Sequence, residues 1–256
     1  MKVVILAGGM GTRISEESQI RPKPMVEIAG KPILWHIMKT YSQYGFNDFI
    51  ICAGYKQEAI KDYFENYYLH SCDVSYDFLN GRRDIISQSA EHWKVTVINT
   101  GLNTMTGGRI KRVEKYVENE PFMLTYGDGV SDINISSLLD YHGRSKKSLT
   151  LTAIRVGSKF GNLKISQAGA VESFSEKSKD DGSWINGGYM VAGPEIFDYI
   201  SGDDTVFEKE PLENICKDKQ LAAYKHHGFW KCMDTLRDKN ELESMVHNDN
   251  APWILW

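Results

Sequence analysis

The first residues with chemical potential follow a short apolar run. Val3-Val4-Ile5-Leu6 feeds into Ala7-Gly8-Gly9-Met10-Gly11-Thr12-Arg13. Glycines let a backbone come close to phosphate oxygens and aim N–H groups at them. Leu6, Ala7, Gly8, Gly9, Met10, Gly11 and Thr12 are therefore candidate nucleotide-binding positions. Arg13 is a candidate catalytic cation, able to fork onto β- and γ-phosphates and stabilise a leaving pyrophosphate. Further on, Arg21-Pro22-Lys23-Pro24-Met25 sets Lys23 between two prolines. These fix its backbone and limit its search for a reacting phosphate. A P-loop would need Gly-x-x-x-x-Gly-Lys-Ser/Thr, which is absent. A dinucleotide fingerprint starts at Gly9 and Gly11 but has Ile14 where its third glycine belongs.

A second group of candidates is acidic. Tyr126-Gly127-Asp128-Gly129 follows the apolar Phe122-Met123-Leu124. A carboxylate at a strand end, flanked by glycines, suits Mg²⁺ beside phosphates. Asp128 is thus a candidate catalytic, nucleotide-binding and metal-ligating residue; the alternative is a turn-forming aspartate. An ion needs a second carboxylate, and Asp234 is the candidate for it. Its alternative role is to cap the helical segment that follows.

These residues must be positioned by a scaffold. Lys2–Ala7, Phe49–Ala53, Val95–Asn99 and Phe122–Tyr126 read as buried strands, each a short apolar run. Pro32–Tyr44 and Glu58–Tyr68 read as helices between them. Strands alternating with such helices imply βαβ units and a mostly parallel sheet. Beyond Gly129 the pattern changes to strands at 148–156 and 187–191, a hairpin around Gly169, and helices at 194–200 and 210–217. The predicted fold is α/β and Rossmann-like, a mostly parallel central sheet flanked by helices, with a mixed α/β substrate-binding part. One domain over residues 1–256 is expected. Its approximate halves are 1–130 for nucleotide binding and 131–256 for the other substrate.

Composition narrows the class. The 256 residues are 41% hydrophobic and 25% charged, ordinary for a soluble globular enzyme. A net charge of −4 argues against a broad nucleic-acid footprint. Cys52, Cys72, Cys216 and Cys232 form no C-x-x-C pair, so a zinc site or disulfide framework is not expected, and a cytoplasmic setting is. No stretch has the length of a membrane span. His36 reads as a satisfied core histidine, and the adjacent His226 and His227 as pointing apart. The tail Pro252-Trp253-Ile254-Leu255-Trp256 is apolar and could cover its own core or another subunit.

Leu6 to Arg13 followed by Arg21 to Met25 resembles the signature of sugar-1-phosphate nucleotidyltransferases. Further matching stretches include Met25–Ile28, Gly30–Met38, Met105–Arg109, Thr125–Gly129 and Met233–Asp238. They resemble the cytidylyltransferase branch that acts on glucose 1-phosphate. The resemblance implies transfer of CMP from CTP to α-D-glucose 1-phosphate, giving CDP-glucose and pyrophosphate. UTP, dTTP or another sugar 1-phosphate is the alternative. It also implies Mg²⁺ held by Asp128 and Asp234. Gly161, Glu176, Lys177, Asn186 and Gly187 would contact the sugar phosphate, with Ser178 replacing the proline usual after Glu-Lys. A homo-oligomer, a hexamer by resemblance, would be the assembly, with neither nucleic acid nor membrane as partner.

The segment Thr100–Arg109 is the expected base-holding stretch, with Thr104 and Arg109 its candidate contacts. Cytosine offers acceptors at O2 and N3, which suit a donor-only guanidinium, and Thr104 could accept from N4. Uracil and thymine would set an N3–H against that donor. The alternative is that Arg109 binds a phosphate or carboxylate.

Overall fold

Residues 2–7 alternate their side chains between two cores, which makes this strand the middle of the molecule. Val3 and Ile5 are buried in one cluster with Ile37, Tyr41 and Trp253, while Val4 and Leu6 are buried in the other with Cys52, Ile110 and Leu124. The structure, a computed structural model, describes residues 1–87, 90–155, 162–166, 169–175 and 184–256.

Among these residues a nine-stranded sheet runs through the chain. Its strands are β1 (Lys2–Ala7), β2 (Asp48–Ala53), β3 (Lys94–Asn99), β4 (Phe122–Tyr126), β5 (Leu149–Arg155), β6 (Asn162–Ile165), β7 (Val171–Ser175), β8 (Trp184–Ala192) and β9 (Leu221–Lys225). β3, β2, β1 and β4 lie side by side in that order, all parallel. β8 runs antiparallel to β4, β5 and β6, and β5 pairs in parallel with β9. The result is the expected α/β architecture, a mostly parallel central sheet flanked by helices. Outside the sheet, Gly129–Ser131 and Trp230–Cys232 form a two-stranded ribbon that joins distant parts of the chain.

Several local expectations are met. The helix after Pro32 spans Ile33–Ser42, and β6 and β7 form the hairpin around Gly169, whose φ is +81°. Others are corrected. The helical stretch expected at 58–68 divides into Gln57–Glu65 and Tyr67–Ser71, because Asn66 leaves helical geometry at φ −96° and ψ 4°. Residues Pro194–Tyr199 form a 3₁₀ turn rather than an α-helix. His226 follows the end of β9 and faces Asp132 at 2.9 Å, whereas the His227 ring meets Trp184. No helix among the described residues is long and apolar enough to cross a membrane.

The tail folds onto its own chain. Trp253 is fully buried and stacks on Phe229 at 5.5 Å, and Trp256 meets Trp35 edge-on at 5.7 Å. His36 closes this corner. Its Nε2 donates to the Ile28 carbonyl at 3.1 Å, and its Nδ1 accepts from Trp253 Nε1 at 3.4 Å. Only a neutral ring satisfies both. Burial, the largest cause, lowers the His36 pKa to about 4. The unfolded chain therefore takes up this proton near pH 6.5 while the folded chain refuses it until about pH 4. Stability is present above pH 6.5 and is lost as pH falls towards 4. Urea titrations at pH 7.5 and pH 4.5 should differ by up to roughly 3 kcal/mol from this group. His36→Gln should flatten that difference; an unchanged pH slope would show that His36 is not its source.

Candidate active site

The glycine turn leaves the carboxyl end of β1, and Gly127-Asp128 leaves that of β4. In parallel sheets a ligand crevice opens where neighbouring crossovers diverge. The two ends are tied by a bond from Gly127 N to Leu6 O at 2.9 Å. A cleft of about 380 Å³ opens there, lined by Leu6 to Gly9, Gly11 to Arg13, Lys23, Pro24, Thr104 to Thr106, Arg109 and Tyr126 to Asp128. Gly11 adopts φ +64°, a left-handed conformation in which a side chain would be strained. That turn carries the chain into Thr12–Ile14, and the Ser18 hydroxyl holds it by donating to Gly11 O at 2.8 Å. Met10 is half exposed beside this turn.

Lys23 is held between two carboxylates. The Pro22-Lys23-Pro24-Met25 stretch forms a short 3₁₀ turn, closed by Met25 N to Pro22 O at 2.8 Å. From it the Lys23 ammonium reaches Asp128 Oδ2 and Asp234 Oδ1, each at 2.6 Å. Burial opposes the ammonium charge, but Asp128 first and then the hydrogen bonds outweigh it, so the pKa is raised above the usual lysine range. Arg13 Nη1 donates to the other oxygen of Asp234 at 2.7 Å while most of its side chain stays in solvent. Asp234 is not a helix cap. Thr235 takes that place, its hydroxyl accepting from Asp238 N at 3.2 Å and the Asp238 carboxylate answering Thr235 N at 2.9 Å.

Asp128, Asp234 and Cys232 offer ligand atoms within 4.8 Å of one another. Two hard carboxylate oxygens fit a hard divalent cation beside phosphates. The Cys232 thiol does not compete as a thiolate, because burial, then the charge of Asp128, pushes its pKa up. The ribbon is what brings these groups together: Cys232 pairs with Gly129, and Met233 N donates to Asp128 O at 2.8 Å.

Thr104 and Arg109 line the expected base side of the cleft. Arg109 is buried, and its Nη1 donates to Thr100 Oγ1 at 2.8 Å and Gly101 O at 2.7 Å, its Nη2 to Leu102 O at 3.2 Å. The guanidinium lies under Gly8, where a Cβ would overlap it. It thus buttresses the 100–102 loop and the glycine turn while lining the cleft. Residues Thr106–Arg112 are a helix, with Gly107 and Gly108 in its first turn. A Cβ on Gly108 would lie 2.5 Å from the backbone of Asp203, and one on Gly107 would lie 2.7 Å from Thr205 O. These glycines admit the 203–205 segment. Met105 N and Gly107 N donate to its carbonyls at 2.8 and 2.9 Å.

On the opposite side, Asn186 and Gly187 lie on β8. Asn186 Oδ1 accepts from Gly188 N at 2.9 Å, and Gly187 O accepts from Trp230 Nε1 at 2.6 Å. Gly161, Glu176 and Lys177 lie outside the described residues. Sequence reasoning singled out neither Pro24, Tyr126 and Thr106 as individual cleft-lining residues nor Glu208, which bonds Tyr126 and Thr106. Tyr126 and Thr106 lie inside quoted stretches and could have been weighed. Glu208 carries no local signal.

Lys23→Met leaves Asp128 and Asp234 facing each other without the ammonium between them, with only Arg13 still paired to Asp234. The metal-free variant should lose about 3 kcal/mol in urea unfolding. An added divalent cation should raise its melting temperature more than it raises that of the parent chain. Equal effects on both would refute the bridging role. Gly108→Ala should push the 203–205 segment away and raise the KM for a nucleotide substrate about tenfold, a cost of about 1.4 kcal/mol; an unaltered KM would mean the contact is dispensable.

Comparison with known proteins agrees with this geometry. A family model described as nucleotidyl transferase matches residues 2–238. A glucose-1-phosphate cytidylyltransferase of Salmonella typhi is 52% identical over 257 aligned positions, covering 100% of both chains. A probable glucose-1-phosphate cytidylyltransferase of Bacillus subtilis is 45% identical, again over 100% of both. The crystal structure of HddC from Yersinia pseudotuberculosis superposes with a TM-score of 0.76 at 25% identity, covering 96% of this chain and 99% of that one. With the glycine turn, the Pro-Lys-Pro lysine and the paired carboxylates assembled at one cleft, the chain belongs to the nucleotidyl transferase family.

Proposed function

We propose that this protein transfers CMP from CTP to α-D-glucose 1-phosphate, releasing CDP-glucose and pyrophosphate. The observation that carries the reading is the convergence of the glycine turn, Lys23 and both carboxylates at one cleft. Full-length similarity to relatives named for this reaction supports the choice of substrates.

In this reading the backbone N–H groups of residues 8–12 hold the triphosphate, and Arg13 faces the departing pyrophosphate. A sugar-phosphate oxygen forms a bond to the α-phosphorus in line, and the bridging bond to the β-phosphate breaks. The attacking phosphate is already ionised and needs no general base, so positioning and charge carry the rate. Asp128 and Asp234 would hold Mg²⁺, which when bound would supply charge neutralisation beside the nucleotide phosphates. Lys23, at the same carboxylates, directs its ammonium at the reacting phosphate. Lys177 and Glu176, with Gly161, Asn186 and Gly187, hold the sugar phosphate. Arg109 and Thr104 meet the base edge, Arg109 through donors left over from the 100–102 loop.

The same reading divides one domain near residue 130 into nucleotide and sugar-phosphate halves and places it in the cytoplasm. A homo-oligomer, a hexamer, is the proposed assembly. Among the described residues the exposed Phe78, Leu79, Ile86 and Ile20 are apolar side chains that a neighbour would cover.

A pyrophosphate-release assay over CTP, UTP, dTTP and GTP, each with several sugar 1-phosphates, tests the reaction. CTP with glucose 1-phosphate should be preferred about ten- to a hundredfold in kcat/KM, the cost of a donor facing a donor. Equal turnover with UTP would sink the cytidylyl assignment.

A further inference from the structure

Glu208 belongs neither to the glycine turn nor to the carboxylate pair nor to β8, yet it grips two walls of the cleft. Its Oε2 accepts the Thr106 hydroxyl and its Oε1 accepts the Tyr126 hydroxyl, each at 2.6 Å. Thr106 opens the helix that carries Arg109 and lines the base side of the cleft. Tyr126 ends β4, two positions before Asp128. One carboxylate therefore fastens the base wall to the strand that delivers the candidate metal ligand.

The bonds are directional. The Thr106 oxygen already accepts from Phe207 N at 2.9 Å, so its single proton is committed to Glu208. Tyr126 is committed in the same way, because its hydroxyl proton is directed at the Glu208 carboxylate, which can only accept. Its ring lies against Gly188, where a Cβ would stand 2.5 Å from Tyr126 Cδ2. Residues just upstream reinforce the same wall. Asp203 accepts from Arg112 Nε at 2.8 Å and from Arg112 Nη2 at 2.5 Å, and its carbonyl accepts from Met105 N.

We propose that Glu208 is a positioning residue for nucleobase selection, setting the placement of the base wall relative to Asp128 without touching substrate. This rests on reading the cleft as the nucleotide site. A displaced wall would misplace donors and acceptors aimed at the base edge, whereas phosphate contacts from the glycine turn would persist. Losing Glu208 should therefore cost affinity selectively, more for the preferred base than for the others.

Calorimetric binding of CTP, UTP, dTTP and GTP to the full chain, with Mg²⁺ and no sugar phosphate, separates the outcomes. Glu208→Leu should raise the Kd of the preferred nucleotide about tenfold and shrink the preference over the next nucleotide by a similar factor. In turnover with saturating substrates, kcat should stay within about threefold of the parent, since the phosphate contacts remain. Glu208→Gln keeps one acceptor oxygen and the shape, and should recover most of the preference. Adding Thr106→Val to Glu208→Leu should cost no more than about twofold further, because the bond is already gone. An unchanged Kd would overturn the proposal. So would an equal loss for all four nucleotides accompanied by a parallel fall in kcat, which is the signature of general loosening. If Glu208→Leu does not fold, Tyr126→Phe and Thr106→Val each break one bond and should each raise the preferred Kd about threefold; no change in either overturns the proposal. A parent chain that prefers a base other than cytosine would defeat the functional reading, while Glu208 would still be judged on the base that is preferred.

Discussion

The candidate site depends on one cation shared by two carboxylates. Asp128 and Asp234 sit close enough that their charges would repel in the half-buried cleft, and the Lys23 ammonium at 2.6 Å from each offsets that repulsion. Arg13 adds a second positive charge to Asp234 from the solvent side. Such a cluster is poised to exchange partners. The carboxylates suit a divalent ion and the cations suit phosphates, so the groups that neutralise one another here have the charges that a nucleotide with its metal would claim.

That arrangement needs three separate backbone devices. Two prolines hold the Lys23 turn. The carboxyl end of β4 carries Asp128, pinned to β1 through Gly127 N and Leu6 O. The ribbon between Gly129–Ser131 and Trp230–Cys232 brings Asp234 back from a hundred residues downstream in round terms, with Met233 N bonded to Asp128 O. The capping box of Thr235 and Asp238 then starts the last helix and leaves Asp234 free for Lys23 and Arg13. Capping and ligation fall to adjacent residues, so neither compromises the other.

Close backbone approach recurs on the base side. Gly8 accommodates a guanidinium while lining the cleft, and Gly107 and Gly108 accommodate the 203–205 segment. The glycines thus serve packing between protein segments as much as contact with phosphate. Buried donors in the cleft wall such as Arg109 are satisfied by carbonyls and a hydroxyl, and leaving them unpaired would be costly.

The sequence by itself determined the strands and the phosphate chemistry. Apolar runs ending in glycine marked β1, β2 and β4, and the glycine turn with Arg13 and the Pro-flanked Lys23 marked the catalytic end, because these signals are local. It also pointed to Asp128 and Asp234, through strand-end placement and through resemblance. It read Thr100–Arg109 as the base-holding segment; the structure sets Thr104, Met105, Thr106 and Arg109 in the cleft lining and begins a helix at Thr106 whose glycines admit another segment. Only the tertiary structure decided that Lys23 bridges both carboxylates, that the tail seals its own core, and that Glu208 joins Thr106 to Tyr126. Those facts rest on contacts between residues far apart in the chain. Hydrophobic period and turn chemistry record what a segment does with its neighbours in sequence, and they carry no trace of which distant carboxylate will meet a given hydroxyl.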